Sequence, residues 1–366
     1  MRKALVGLAA VALLATAGMT ACSMNGNAGT DGSGGGGKGA KVGVILPDVT
    51  SGQRWRTDDP QYLKKAFEAA NVPVDIQNAQ GDKTRFATIA DRMIGDGVKV
   101  LMIVNLDSPS GADVLAKARA AGVKTIDYDR LTLGGGADYY VSYDSVRAGS
   151  LQGFGLVKCL EAKGLEDPVV AELNGAPTDT NATLLKQGYD SVLQERYDNA
   201  TLTKGPDQSV PDWDTTQAAA IFTQMLDLQP RIRAVLAAND ALAGAVINVL
   251  RKRGLNGKVP VTGQDATIQG LQNILVGDQC MTVYKPIEPE AQTAANLAIS
   301  LYQGQQPAAV GTIKDPESSM YIPFLRLQPR AINIDSIQEL VNDGFVSTSQ
   351  LCAGMYEPLC QEHEIQ

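Results

Sequence analysis

From Lys41 onward the sequence alternates short β-branched apolar runs with amphipathic helical stretches, and this repetition limits the possible folds more than any other feature. Predicted strands cover residues 41–46, 74–78, 98–104, 124–128 and 139–143, with helices over 59–70, 84–96 and 112–121 between them. Asp59-Pro60 reads as an N-cap followed by proline at the first helical position, and Gly97 and Gly122 read as helix stops. The cycle then restarts, with helices over 146–162, 181–197, 215–228, 241–253, 268–276 and 286–302. The strands of this second run cover 169–173, 200–203, 234–237, 259–262, 280–284 and 320–325. Near-continuously apolar strands alternating with helices imply parallel sheets covered on both faces. The expected architecture is therefore α/β with two lobes. Residues 41–143 plus 286–325 form the N-terminal lobe, and 144–285 plus 326–366 form the C-terminal lobe and tail.

The residues before this body predict its compartment. Arg2 and Lys3 precede an apolar run from Ala4 to Gly18, too short to span a bilayer and flanked as a secretory signal is flanked. It ends in Met19-Thr20-Ala21-Cys22, which resembles a lipobox, so residues 1–21 read as a signal peptide and Cys22 as a lipidated mature N-terminus. Residues 22–40 are mostly Gly, Ser, Asn, Asp and Thr, the composition of a flexible tether with a root-mean-square reach of about 24 Å. Within it, the stretch from Gly32 to Lys38 has the spacing of a phosphate loop, but Gly39 follows where Ser or Thr is needed, and no strand precedes it. The body has no second long apolar run, so membrane attachment rests on the lipid alone, outside the cytoplasm.

Charge and residue usage exclude several functions. The chain carries a formal −8, or −10 once residues 1–21 are gone, which argues against nucleic acid as a partner. His363 is the only histidine and lies in the tail, so the body cannot build Ser-His-Asp or Cys-His catalysis or a histidine metal site. No enzyme activity, metal or cofactor is expected. Besides Cys22 there are Cys159, Cys280, Cys352 and Cys360, which allow three pairings in an oxidising compartment. The short separation of Cys352 and Cys360 in a loop-like tail favours that pair, leaving Cys159 with Cys280. Four free thiols are the alternative.

In open α/β sheets ligands bind beyond the carboxyl ends of the strands. There the sequence places Arg54, Trp55 and Arg56; Asp129 and Arg130; Asp179 and Asn181; Asn239 and Asp240; Gln264 and Asp265; and Lys285. Carboxylates, amides and cations at strand ends suit a ligand rich in hydroxyls, each of which both donates and accepts. Trp55 and Trp213, the only tryptophans, lie in polar loops, one in each half, where they could stack on the C–H faces of a sugar ring. Each residue also has a plainer reading. Asp179 and Asp240 could cap helices, Asp129 and Arg130 could pair on the surface, and the tryptophans could belong to the core.

Six ordered stretches carry a resemblance: Arg54-Trp55, Tyr128-Asp129-Arg130, Pro177-Thr178-Asp179-Thr180-Asn181-Ala182, Asn239-Asp240-Ala241, Gly263-Gln264-Asp265-Ala266 and Met281-Thr282-Val283-Tyr284-Lys285-Pro286. Over about Lys41 to Phe345 the chain resembles the periplasmic binding protein type I family, in its sugar-binding branch. The resemblance implies two Rossmann-like lobes joined by a three-segment hinge and closing on one monosaccharide, D-xylose or a related aldose. It implies stacking by Trp55 and Trp213, and hydrogen bonding by Arg54, Asp129, Arg130, Asp179, Asn181, Asn239, Asp240, Asp265 and Lys285. Lys186 stands where the branch carries an arginine, and a lysine cannot make the two-pronged contact. The loop from Leu106 to Ser110 also differs in character. The implied partners are the sugar and an ABC transporter permease, with the protein itself a monomer. A sensory module feeding a membrane receptor or kinase is the competing reading.

Overall fold

A computed structural model describes residues 42–366; the expected signal peptide, Cys22 and the tether lie outside the described residues. The strands in chain order are β1 (Val42–Leu46), β2 (Val74–Asn78), β3 (Val100–Ile103), β4 (Lys124–Tyr128), β5 (Tyr139–Tyr143), β6 (Val169–Asn174), β7 (Thr203–Ser209), β8 (Ile232–Ala237), β9 (Thr282–Tyr284), β10 (Gly311–Lys314), β11 (Tyr321–Leu327) and β12 (Arg330–Ile332). The main helices are α1 (Asp58–Ala69), α2 (Lys83–Gly95), α3 (Ser108–Ala120), α4 (Ser145–Ala162), α5 (Thr180–Asp198), α6 (Thr215–Leu228), α7 (Asp240–Lys252), α8 (Ile268–Leu275) and α9 (Ile287–Tyr302). The tail adds α10 (Ile337–Asn342), α11 (Thr348–Leu351) and α12 (Glu357–Glu362). None of these helices is long and apolar enough to cross a membrane.

The first lobe is a seven-stranded sheet in the order β10-β11-β5-β4-β3-β1-β2, parallel except at the β10 edge. The period-two alternation of a strand divides its side chains between two cores. Val44, Val100 and Met102 face α1 and α9, where Leu63, Phe67, Ala291 and Ala294 are buried. Ile45, Leu101 and Ile103 face α2 and α3, where Phe86, Met93, Val114 and Leu115 are buried. Both faces are covered, so the central strands β1 and β3 are buried along their whole length.

The second lobe is built on β7-β6-β8, extended by a parallel bridge between Val235 and Val261, with β9 and β12 forming an antiparallel pair. The expected strand at 259–262 reduces to that bridge. The strand expected at 200–203 starts instead at Thr203 and runs through Lys204-Gly205-Pro206-Asp207-Gln208. As an edge strand it needs neither an apolar run nor every backbone donor, so hydrophobic patterning gives no sign of it. The tail is helical rather than loop-like: Leu340, Val346, Leu351, Cys360 and Ile365 pack against α8 residues Leu271 and Ile274. Disulfides join Cys159 to Cys280 and Cys352 to Cys360. The chain passes between the lobes after Tyr143, near Lys285-Pro286 and after Leu327. Across these crossings Tyr143 Oη donates to the Pro286 carbonyl at 2.8 Å.

Candidate functional site

The C-terminal ends of the strands in both lobes face one cleft, and the polar side chains gathered there are largely buried. On the first lobe, the loop after β1 forms a 3-10 turn, Gln53–Trp55. Arg54 donates through Nε and Nη2 to both oxygens of Asp59 (2.8 Å each) and through Nη2 to Glu290 Oε2 (2.8 Å), with Asp129 Oδ1 at 3.4 Å from Nη1. Burial alone would lower the Arg54 pKa, but Asp59 and Glu290 outweigh it and hold the guanidinium charged well above its ordinary range. Burial likewise raises Asp59 against the pull of Arg54, and pushes Glu290 up to about 8. Asp59 is therefore no helix cap: Thr57 occupies the N-cap position, and the Asp59 carboxylate is fully buried, accepting also from Tyr128 Oη. Trp55 is buried in the first core, and the Arg54 guanidinium lies 4.2 Å from its ring centroid.

At the end of β4, Asp129 takes a left-handed backbone (φ 63°) that turns its carbonyl toward the second lobe. That oxygen accepts from Tyr140 Oη (3.0 Å), Ser142 Oγ (2.9 Å) and, across the cleft, Asn181 Nδ2 (2.9 Å). Arg130 donates to the Asn105 carbonyl and to Ser51 Oγ at 3.2 Å each, and its Nε lies 3.2 Å from Asp179 Oδ2 of the other lobe. That approach is out of line, so Arg130 Nε makes no hydrogen bond among the described residues. Glu290 Oε1 is buried and unpartnered in the same sense.

On the second lobe, Asp179 caps α5 by accepting from Asn181 N (2.9 Å), while its other oxygen accepts from Trp213 Nε1 (3.2 Å). The cap and cleft readings of this residue are both realised, one by each oxygen. Burial raises its pKa, with Arg130 opposing. Trp213 lies so close over Gly175 that a Cβ there would fall 2.1 Å from the ring. Both tryptophans are thus buried in the cores of their lobes rather than exposed in loops. Asn239 caps α7 through Oδ1, which accepts from Leu242 N (2.9 Å), leaving its amide N–H group without a partner among the described residues. Asp265 Oδ1 lies 3.3 Å from Lys285 Nζ. Burial would lower the Lys285 pKa, but Asp265 and Asp129 raise it overall.

Two expected ligand residues are placed elsewhere. Asp240 is fully enclosed within the second lobe, where Thr267, Gln279 and Thr282 satisfy its oxygens. Lys186 lies one and a half turns into α5 and points to the outer side of that lobe, pairing with Glu172 (2.6 Å), Asp207 (2.8 Å) and Asp190 (3.2 Å). Residues that the sequence reading did not assign to the site also line the cluster: Asp59, Tyr128 and Glu290 around Arg54, Asn105 and Ser51 around Arg130, and Gly175 under Trp213. The first-turn position of Glu290 on α9 has an ordinary dipole explanation, which hid its burial against Arg54. Among the described residues no group of His, Cys, Asp and Glu could hold a metal ion.

Two α/β lobes, three crossings and a buried polar cleft fed from both lobes define a bilobal solute-binding protein. A profile described as a periplasmic binding protein domain matches residues 42–306, and the chain belongs to that family. It is 34% identical over 320 residues to the D-xylose-binding periplasmic protein of Escherichia coli (strain K12), spanning 86% of this chain and 93% of that protein. It is 31% identical over 326 residues to a multiple sugar-binding periplasmic receptor of Rhizobium radiobacter, spanning 85% and 92%. Among solved structures, a carbohydrate transporter solute binding protein from Chloroflexus aurantiacus in complex with D-glucose matches with a TM-score of 0.76 at 28% identity, over 85% of this chain and 97% of that one. The family consists of binding components of transporters, not enzymes.

Proposed function

We propose that the protein binds a monosaccharide, D-xylose or a related aldose, between its lobes and presents it to an ABC transporter permease at the outer face of the cell membrane, held there as a monomer by a lipid on Cys22. The observation that carries this reading is the meeting of Arg54, Asp129 and Arg130 from one lobe with Asp179, Asn181, Trp213, Asp265 and Lys285 from the other. Bidentate cations, carboxylates and amides suit adjacent hydroxyls, and the two indoles supply apolar faces. Only the closed arrangement offers groups from both lobes, so ligand selects it. Two relatives support the cargo: one is named for D-xylose, the other for multiple sugars. The second is called a receptor, which favours sensing as the alternative role.

Calorimetry of residues 41–366 against pentoses and hexoses tests the cargo. One or a few monosaccharides are expected to bind, and silence across the panel would overturn the reading. Asp265→Ala is expected to stay folded, because its side chain is 38% exposed, and to bind about 5- to 150-fold more weakly as a buried hydroxyl loses its partner. Wild-type affinity in that variant would remove Asp265 from the site. Cys22→Ser in the full-length chain is expected to prevent incorporation of a labelled fatty acid and to move the protein from the membrane to the soluble fraction. Labelling that persists would rule out the anchor.

A further inference from the structure

Asp265 and Lys285 belong to a segment whose backbone is unusual. Asp265 (φ 96°) and Ala266 (φ 52°) are consecutive non-glycine residues in the left-handed region, a conformation that persists only where the surroundings hold it. Here every residue of the turn is tied. The Gly263 carbonyl accepts from Gln152 Nε2 and Val283 N, and the Gln264 carbonyl accepts from Asp240 N at 2.9 Å. Asp265 N donates to the Val283 carbonyl, Ala266 N to Thr282 Oγ1, and Thr267 N to Asp240 Oδ2.

The ties lead back to one buried carboxylate. Asp240 Oδ2 accepts from Thr267 N (2.8 Å) and Thr267 Oγ1 (3.2 Å), and Oδ1 accepts from Gln279 Nε2 and Thr282 Oγ1 (2.8 Å each). The Thr282 hydroxyl passes the restraint on, donating to Asp240 while accepting from Ala266 N. Asp240 thereby grips the turn at its far end and β9 at its start, and Asp265 and Lys285 stand at the cleft ends of those two segments. The carboxylate is closely housed: a Cβ on Gly263 or Gly270 would fall 2.0 or 2.2 Å from it.

Building on the proposed sugar reading, we infer that Asp240 is a positioning residue, which never touches the ligand but sets the turn and strand that aim Asp265 and Lys285 at it. Asp240→Asn replaces two acceptor oxygens with one and turns an N–H group toward existing donors, so the grip fails without loss of volume. Thr282→Val cuts the link between Asp240 and Ala266 while keeping shape, and serves should the asparagine variant not fold.

Sugar affinity by calorimetry is expected to fall about tenfold in either variant. In a cycle with the Asp265→Asn/Lys285→Gln variant, adding Asp240→Asn is expected to change affinity by no more than about twofold, because Asp240 acts through those two residues. Hydrogen exchange at the amides of Asp265, Ala266 and Thr267 is expected to quicken about tenfold without sugar. Wild-type affinity with unchanged exchange, or losses that simply multiply in the cycle, would overturn the inference. Should the wild type bind no sugar, the sugar reading falls, and exchange at the turn still decides whether Asp240 anchors it.

Discussion

Replacing Arg54 with alanine is expected to lower stability by about 3–5 kcal/mol and to abolish sugar binding. The guanidinium is the counter-ion to two fully buried carboxylates, Asp59 and Glu290, at 2.8 Å each. Without it, both face each other and Asp129 with no cation in hydrogen-bond contact. They respond by staying protonated, which fixes the sign of the pH dependence. An acid whose folded pKa exceeds its unfolded value withdraws stability as pH rises from the unfolded value to the folded one. Glu290 already does this in the wild type, between its ordinary 4.5 and about 8. In Arg54→Ala both folded values climb further, so the gap in melting temperature to the wild type is expected to be wide at pH 8 and to narrow toward pH 5. Thermal melts at those two pH values measure it. A gap that is small, or equal at both, would show that the network is hydrated and Arg54 replaceable.

Gly175→Ala is expected to be nearly as damaging, although it adds a single methyl group. The new Cβ would fall 2.1, 2.2 and 2.6 Å from three atoms of the Trp213 ring. Gly175 has no left-handed backbone to strain, so the effect is purely one of contact. A rigid indole packed among Ala176, Phe222 and the rest of the second core cannot yield locally, and overpacking of this kind costs about 1–3 kcal/mol. If the ring is displaced, Asp179 loses the Trp213 Nε1 donor and the cleft loses one apolar face. Sugar affinity is expected to fall about 5- to 150-fold. Because Trp55 and Trp213 are the only tryptophans, a Trp55→Phe background isolates the emission of Trp213. A red shift on adding Gly175→Ala would report the expelled ring, whereas unchanged emission and affinity would mean that the loop moves instead.

Strands 124–128 and 139–143 were legible from patterning because they are buried on both faces, and they coincide with β4 and β5 to the residue; 74–78 also coincides with β2, although that strand is only partly buried. The edge strand β7 and the short β10 and β12 were not, since half-exposed or polar strands carry no apolar run. Strand ends were equally readable as places, because chain direction and a parallel sheet fix which end of each strand opens on the cleft. That is why position alone pointed to Arg54, Asp129, Arg130, Asp179, Asn181, Asp265 and Lys285 as strand-end residues.

By itself, then, the sequence determined the α/β class, the two lobes, the loops that meet between them and the absence of histidine chemistry. These follow from local propensity, hydrophobic period and residue type, each a property of neighbours along the chain. Only the tertiary structure decided what each polar group in those loops faces. Asn239 and Asp240 are adjacent, yet one caps α7 with its amide unpaired among the described residues and the other is sealed behind Gly263 and Gly270. Lys186 belongs to the right helix but the wrong side of it. Glu290 and Arg54 are separated by 236 residues and meet at 2.8 Å. Burial and electrostatics depend on contacts between segments far apart in sequence, and here they separate the groups that meet between the lobes from those enclosed within one of them.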